Sequence, residues 1–226
     1  MSFMSEERKG EILARIGKLL KDPWLSKKTN RNRRVSELNA YAMKYLPEMD
    51  DRKLGGFLDI GPGPGELIEI AMAKQMDAYG WDADTPEGGM GDAYLEFSRL
   101  SHELRDLDVY YSNDFLAIEV RFRNALSIIN LRGSIEQVLS GCMNGSPHDK
   151  HHNCNLMEWD MKRGRAGIKS FLKCMRAALL DNGILMIAGN GARNTEWYDN
   201  TISALYSECG FTRLKRFDSR THKLYV

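Results

Sequence analysis

From residue 56 onward the chain alternates between two hydrophobic periods. "GFLDIG" (56–61), "AYGWDA" (78–83), "DVYYSN" (108–113), "ALSIINL" (125–131) and "ILMIAG" (184–189) are short apolar runs that predict strands. The last of them lacks polar alternation, as a strand buried on both faces of a parallel sheet does. Between them lie segments with helical spacing: "ELIEIAMAKQ" (66–75), "DAYLEFSRLSHELRDL" (92–107), a helix beginning at "IEQVLSG" (135–141), "AGIKSFLKCMRAALL" (166–180) and "TEWYDNTISALYSECG" (195–210). Asp181-Asn182-Gly183 is expected to stop the fourth helix, and Gly210 stands where a helix-terminating glycine belongs. The end, "FTRLKRFDSRTHKLYV", predicts two strands around a tight turn at Asp218-Ser219.

Strand–helix alternation of this kind predicts an α/β fold with an open, mostly parallel, doubly wound sheet. Ligands then bind at the carboxyl ends of the strands, which places the loops 61–66, 82–88, 113–119, 130–136 and 189–195 around one crevice. Residues 1–50 follow a different pattern. Ile12, Leu13, Ile16, Leu19 and Leu20 recur at helical spacing, as do Val35, Leu38, Tyr41, Ala42 and Tyr45. Asp22-Pro23 separates the two sets and Pro47 closes the second, so an N-terminal helical cap (1–50) is expected to precede the main domain (51–226).

Composition refines this only slightly. With 226 residues, 42% hydrophobic and 28% charged, the chain fits a globular protein with one sizeable core. A net charge of +1 gives no global field for nucleic acid. Cys142, Cys154, Cys174 and Cys209 include no C-x-x-C pair and are expected as reduced thiols, consistent with a cytoplasmic protein. No apolar run approaches the roughly 18 residues of a membrane span, and the acidic N-terminal stretch does not resemble a signal peptide.

The chemistry concentrates in "FLDIGPGPGE" (57–66). A P-loop needs Gly-Lys-Ser/Thr, which is missing, and the dinucleotide fingerprint G-x-G-x-x-G fails because Glu66 holds the place of its third glycine. Pro62 and Pro64 supply no N–H to a pyrophosphate, and Asp59 and Glu66 add negative charge. Such a turn repels phosphate and suits a cation. S-adenosylmethionine carries an ammonium and a sulfonium on an adenosine without phosphate.

The stretch Asp59-Ile60-Gly61-Pro62-Gly63-Pro64-Gly65 resembles motif I (D-x-G-x-G-x-G) of class I S-adenosylmethionine-dependent methyltransferases. The resemblance extends over roughly residues 55–226 in order and spacing. It implies a Rossmann-like seven-stranded sheet whose last two strands form the antiparallel C-terminal hairpin. It also implies S-adenosyl-L-methionine as cofactor, held by Asp59, Gly61, Pro62, Gly63 and Gly65, with Asp82 and its neighbour Ala83 ending the second strand in a G-x-D pattern. An acid about 20 residues past such glycines bonds ribose hydroxyls. Asp84 is the fallback for that role, with helix capping as its other reading. By position, Asn113, Asp114 and Phe115 would meet the adenine, although a polar loop with a buried Phe accounts for them as well; Asn130 would close the site at the fourth strand.

The resemblance implies in-line methyl transfer near the loop after the fourth strand. That loop lacks the [D/N/S]-P-P-[Y/F/W] motif of enzymes that methylate exocyclic amines of DNA bases, so nucleic acid is not the expected acceptor. Arg132, Glu136, Asn190 and Arg193 are candidate acceptor contacts, with helix capping and turn formation as the competing readings. The segment "CMNGSPHDKHHNCNLMEWD" (142–160) is rich in His and Cys, but its spacing matches no zinc finger or ribbon and no metal is expected. It is either a solvated loop or a lid in which His151 or His152 acts as base. The basic run "SKKTNRNRR" (26–34) is expected as a solvated loop between the N-terminal helices. The expected function is methyl transfer to a small molecule or glycan precursor by a monomer or homodimer. The alternatives are a catalytically silent S-adenosylmethionine-binding subunit and an NAD-dependent oxidoreductase.

Overall fold

A computed structural model describes residues 4–30, 33, 37, 55–82, 84, 92–112, 114–132, 161–190, 204–212, 216–218 and 222–225. The first helix, α1 (Glu6–Leu19), starts where the Ser5 side chain accepts from the Arg8 N–H, with Glu6 and Glu7 complementing the helix dipole. A second helix, α2, runs over residues 23–30. Asp22 Oδ1 accepts from the N–H groups of Trp24 (2.7 Å) and Leu25 (3.1 Å), so Asp22-Pro23 forms an N-cap followed by a first-turn proline. The basic run 26–34 therefore begins on a helix, not in a loop as its composition predicts. The second apolar set, Val35–Tyr45, lies outside the described residues.

The sheet is built on β1 (Gly56–Ile60), which pairs in parallel with β2 (Ala78–Asp82) and β4 (Leu126–Arg132). β3 (Val109–Tyr111) flanks β2 in parallel, and β5 (Leu179–Asn190) flanks β4 in parallel. This gives the Rossmann-like parallel order β3-β2-β1-β4-β5, which reverses between β1 and β4. Beyond β5, β7 (His222–Tyr225) pairs antiparallel to it, and β6 (Arg216–Asp218) pairs antiparallel to β7. Of the turn predicted at Asp218-Ser219, Asp218 ends β6 and Ser219 lies outside the described residues.

The helices are α3 (Glu66–Ala73), α4 (Asp92–Leu104), α5 (Leu116–Phe122), α6 (Met161–Ala178) and α7 (204–208). Leu58, Ile60, Trp81, Ile129 and Leu131 pack with Ile118 and Phe122 of α5 and with Phe171 and Leu172 of α6. The alternate residues face the other way: a Cβ added at Gly80 would meet Ile68 of α3 at 3.0 Å. Asp59, Gly80 and Asn130 share a row of the register, so the polar strand residues face α3 and α4.

Three predicted boundaries shift. The helix predicted over 166–180 spans Met161–Ala178, because Leu179 is buried and pairs with Leu126. The loop predicted over 113–119 contains the first residues of α5, whose start Asp114 caps. Of the loop predicted over 130–136, residues 130–132 belong to β4 and the rest lies outside the described residues. Among the described residues, no helix is long and apolar enough to cross a membrane.

Candidate functional site

The carboxyl end of β1 runs through the glycine turn into α3. Gly61, Gly63 and Gly65 take φ values of 71°, 56° and 96°, the left-handed region that L side chains avoid. Gly65 is constrained twice, because an added Cβ would also run into Leu107 Cδ1. The turn spends its own donors inside the fold. The Gly61 N–H donates to the Trp81 carbonyl at 2.8 Å and the Gly65 N–H to the Pro62 carbonyl at 3.1 Å. Pro62 and Pro64 have none to give. Two of the three glycine amides are therefore unavailable to a phosphate.

Beneath the turn, the Asn130 amide donates to Asp59 Oδ1 at 2.6 Å, and both side chains are fully buried. The two residues stand opposite each other in the β1–β4 register. From the side, α4 grips the turn by its carbonyls. His102 Nε2 lies 2.5 Å from the Gly63 carbonyl oxygen, and Arg105 donates to the Pro64 carbonyl at 3.1 Å while pairing with Glu69 at 3.1 Å. The other ring nitrogen of His102, Nδ1, lies 2.8 Å from the Tyr111 hydroxyl.

Asp82 ends β2, half-buried, opposite Tyr111 in the β2–β3 register, and its carbonyl accepts from the Ser112 N–H at 2.9 Å. Burial, with the Asp82 charge adding to it, pushes the Tyr111 hydroxyl up to about 12. Asp84 pairs with Arg99 at 3.4 Å, and the Arg99 guanidinium lies 4.8 Å from the centre of the Tyr111 ring. Asp84, Arg99, His102, Leu107, Val109 and Tyr111 line a cavity of about 400 Å³ beside this edge of the crevice.

The remaining predicted residues divide into three groups. Asp114 Oδ1 accepts from the Leu116 N–H at 3.0 Å, and the Phe115 ring packs edge-on against Phe171 at 5.6 Å. The helix-start and core reading of that pair is the one these contacts satisfy. Arg132 and Asn190 end β4 and β5, with their backbones opposite Ala188 and His222. Ala83, Asn113, Glu136, Arg193, His151 and His152 lie outside the described residues, as do Cys142 and Cys154. The described cysteines, Cys174 and Cys209, are buried free thiols, and burial pushes the Cys174 thiol up to about 11.

His102, Arg105 and Tyr111 were not anticipated from sequence. Helical spacing puts His102 on the same face of α4 as Ser98 and Arg105, and Ser98 and His102 are both buried. A histidine on the inward face of a helix was the available signal.

No protein-family model and no curated protein matches the sequence. Solved structures do resemble it. A protein from Pyrococcus horikoshii aligns at TM-score 0.50 with 11% identity, covering 86% of this chain and 89% of its own. An O-methyltransferase family protein from Burkholderia thailandensis aligns at TM-score 0.50 with 12% identity, covering 90% of this chain and 56% of its own. A SAM-dependent methyltransferase from Archaeoglobus fulgidus aligns at TM-score 0.49 with 15% identity, covering 80% and 71%. The chain thus spans little more than half the length of the Burkholderia protein. Likeness at such identity is likeness of fold: the chain has the α/β fold seen in methyltransferase structures.

Proposed function

We infer that the crevice binds S-adenosylmethionine and that the protein transfers its methyl group to a small-molecule or glycan-type acceptor. The observation that carries this reading is the state of the glycine turn. Two of its three glycine amides are consumed internally, and its two prolines have none. A pyrophosphate held by backbone donors does not fit such a turn, whereas a phosphate-free cationic adenosine does. Bound there, S-adenosylmethionine supplies an electrophilic methyl group on a sulfonium.

The chain's own residues take these roles. Gly61, Gly63 and Gly65 give the cofactor close access to backbone. Asp59 and Asn130, both enclosed, act through the turn by holding its β1 stem in register with β4. Asp82 accepts from the ribose hydroxyls, and Ala83 and Asn113 are assigned to the same cofactor by their place in the sequence. Asp114 keeps one carboxylate oxygen for its helix cap, so its contribution to the adenine comes through the other oxygen, beside Phe115. Arg132, Glu136, Asn190 and Arg193 are the acceptor contacts, and His151 or His152 is the base in any reaction that needs a proton removed. The antiparallel β7 and β6 serve as the closing pair of a methyltransferase sheet.

Two measurements test the reading. Isothermal titration with S-adenosylhomocysteine and with NADH is expected to give binding of the first alone; binding of NADH alone would reinstate the oxidoreductase. Incubating the protein with labelled S-adenosylmethionine and cell extract is expected to label a low-molecular-weight fraction. Cofactor binding with no transfer to any fraction would instead indicate the silent binding subunit.

A further inference from the structure

Beyond the turn and Asp82, one buried polar chain links the two halves of the crevice. Gly63 O can only accept, so His102 Nε2 carries the hydrogen of the 2.5 Å contact. In the neutral ring Nδ1 is then an acceptor, and the Tyr111 hydroxyl, 2.8 Å away, donates to it. With the neutral ring the chain runs Tyr111 O–H to His102 Nδ1, then His102 Nε2–H to the Gly63 carbonyl, and the carbonyl fixes its direction at that end. Its two links span 39 and 9 residues of sequence and join three elements: the turn after β1, α4 and β3. His102 is 3% exposed, so its link to Gly63 is shielded from competing water, while Tyr111 is half-buried. Tyr111 stands opposite Asp82 in the register.

We propose that His102 is a positioning residue for the cofactor: it holds the Gly63 peptide aimed at α4 and, through Tyr111, couples the glycine turn to the strand end that carries Asp82. The inference rests on the methyltransferase reading. Several features favour a tether over simple packing. Gly63 sits at φ 56°, with prolines on both sides that restrict the neighbouring torsions. His102 anchors the Gly63 carbonyl between those of Pro62, held by the Gly65 N–H, and Pro64, held by Arg105, and so completes the orientation of the turn's carbonyl groups. The protonated Tyr111 hydroxyl remains a donor throughout the neutral range, because burial and the Asp82 charge oppose its ionisation.

The two halves of the imidazole can be tested separately. In His102→Gln the amide nitrogen replaces Nε2 and keeps the bond to Gly63; in His102→Asn the amide oxygen replaces Nδ1 as the acceptor and keeps only the Tyr111 side. With the full chain and S-adenosylhomocysteine as probe, titration is expected to give His102→Gln a Kd within about threefold of the wild type. His102→Asn is expected to bind about tenfold more weakly, the value of one buried hydrogen bond. Tyr111→Phe, which loses only the second link, is expected to fall between them. Amide exchange without ligand adds a readout that packing alone would not move: the N–H groups of Gly63, Gly65 and Glu66 should exchange faster in His102→Asn than in His102→Gln. Equal affinity in all variants would overturn the proposal. Equal losses in the Gln and Asn variants, with equal falls in melting temperature, would reduce His102 to a packing residue and overturn it as well. Failure of the wild type to bind S-adenosylhomocysteine would overturn the methyltransferase reading together with this one, an outcome distinct from either.

Discussion

Asp82 differs from the other acids around the crevice in having its position set by backbone at the end of a central strand. Asp59 is enclosed with Asn130, Asp84 pairs with Arg99, and Asp114 caps α5. Asp82, half-buried at the strand end two residues after Gly80, is the acid we assign to the ribose. Replacing Asp82 by Ala is expected to weaken S-adenosylhomocysteine binding by about ten- to a hundredfold, the equivalent of one or two charge-assisted hydrogen bonds. The far-UV circular dichroism should be unchanged. An undiminished affinity in the titration would move the ribose role to Asp84. This part of the site is legible in the sequence because its residues are contiguous: Asp59 to Gly65 and Gly80 to Asp82 each form one local pattern. His102 and Tyr111 are illegible for the opposite reason. Their partners come from other elements, and no spacing rule connects Gly63 with a histidine 39 residues later.

At the scale of elements, α4 is the keystone of the crevice and α1 braces it. Arg8 clasps Glu103 through Nε (2.7 Å) and Nη2 (2.9 Å), and Arg15 clasps Glu96 through the same two atoms (2.5 and 2.8 Å). The hydrogen bonds from Arg8 and Arg15 hold both carboxyls below their ordinary values. A depressed folded-state pKa gives stabilisation that is present above the unfolded value, about 4, and is lost as pH falls through the folded one. Protection of α1 against amide exchange, corrected for intrinsic rates, is thus expected to drop as pH falls below about 4.3, and in 1 M NaCl at neutral pH. The Glu96→Gln/Glu103→Gln variant should show little acid dependence there; acid loss as steep as in the wild type would assign it to other groups. The strand–helix alternation that frames these elements is legible because buried parallel strands and amphipathic helices have different periods. The misjudged elements are those where the periods coincide. Leu116, Ile118, Val120 and Phe122 alternate as a strand would, yet they form one short helix capped by Asp114. Leu179 extends the apolar spacing of α6 but is claimed by its pairing with Leu126. Core packing of Ile118 and Phe122 decided the first and strand pairing the second.

For the molecule as a whole, cofactor binding and folding are linked because the crevice is assembled from distant parts of the chain. The turn at 61–65, α4 and the ends of β2 and β3 meet only in the folded state, so the unfolded chain offers the ligand no equivalent site. Binding to the native state alone stabilises by about 2.7 kcal/mol at a ligand concentration of a hundred times Kd. For a chain of 226 residues, 1 kcal/mol corresponds to roughly 2–4 °C in melting temperature. Saturating S-adenosylhomocysteine is therefore expected to raise the melting temperature by about 5–10 °C, with the shift growing with the logarithm of concentration. Removing a cofactor contact lowers the affinity, and at a fixed ligand concentration a tenfold loss takes about 1.4 kcal/mol from the stabilisation. Asp82→Ala should consequently show a smaller shift at the same concentration while its ligand-free melting temperature stays near that of the wild type. A shift that is present in the wild type and identical in Asp82→Ala would mean that the ligand stabilises the fold from somewhere other than this crevice.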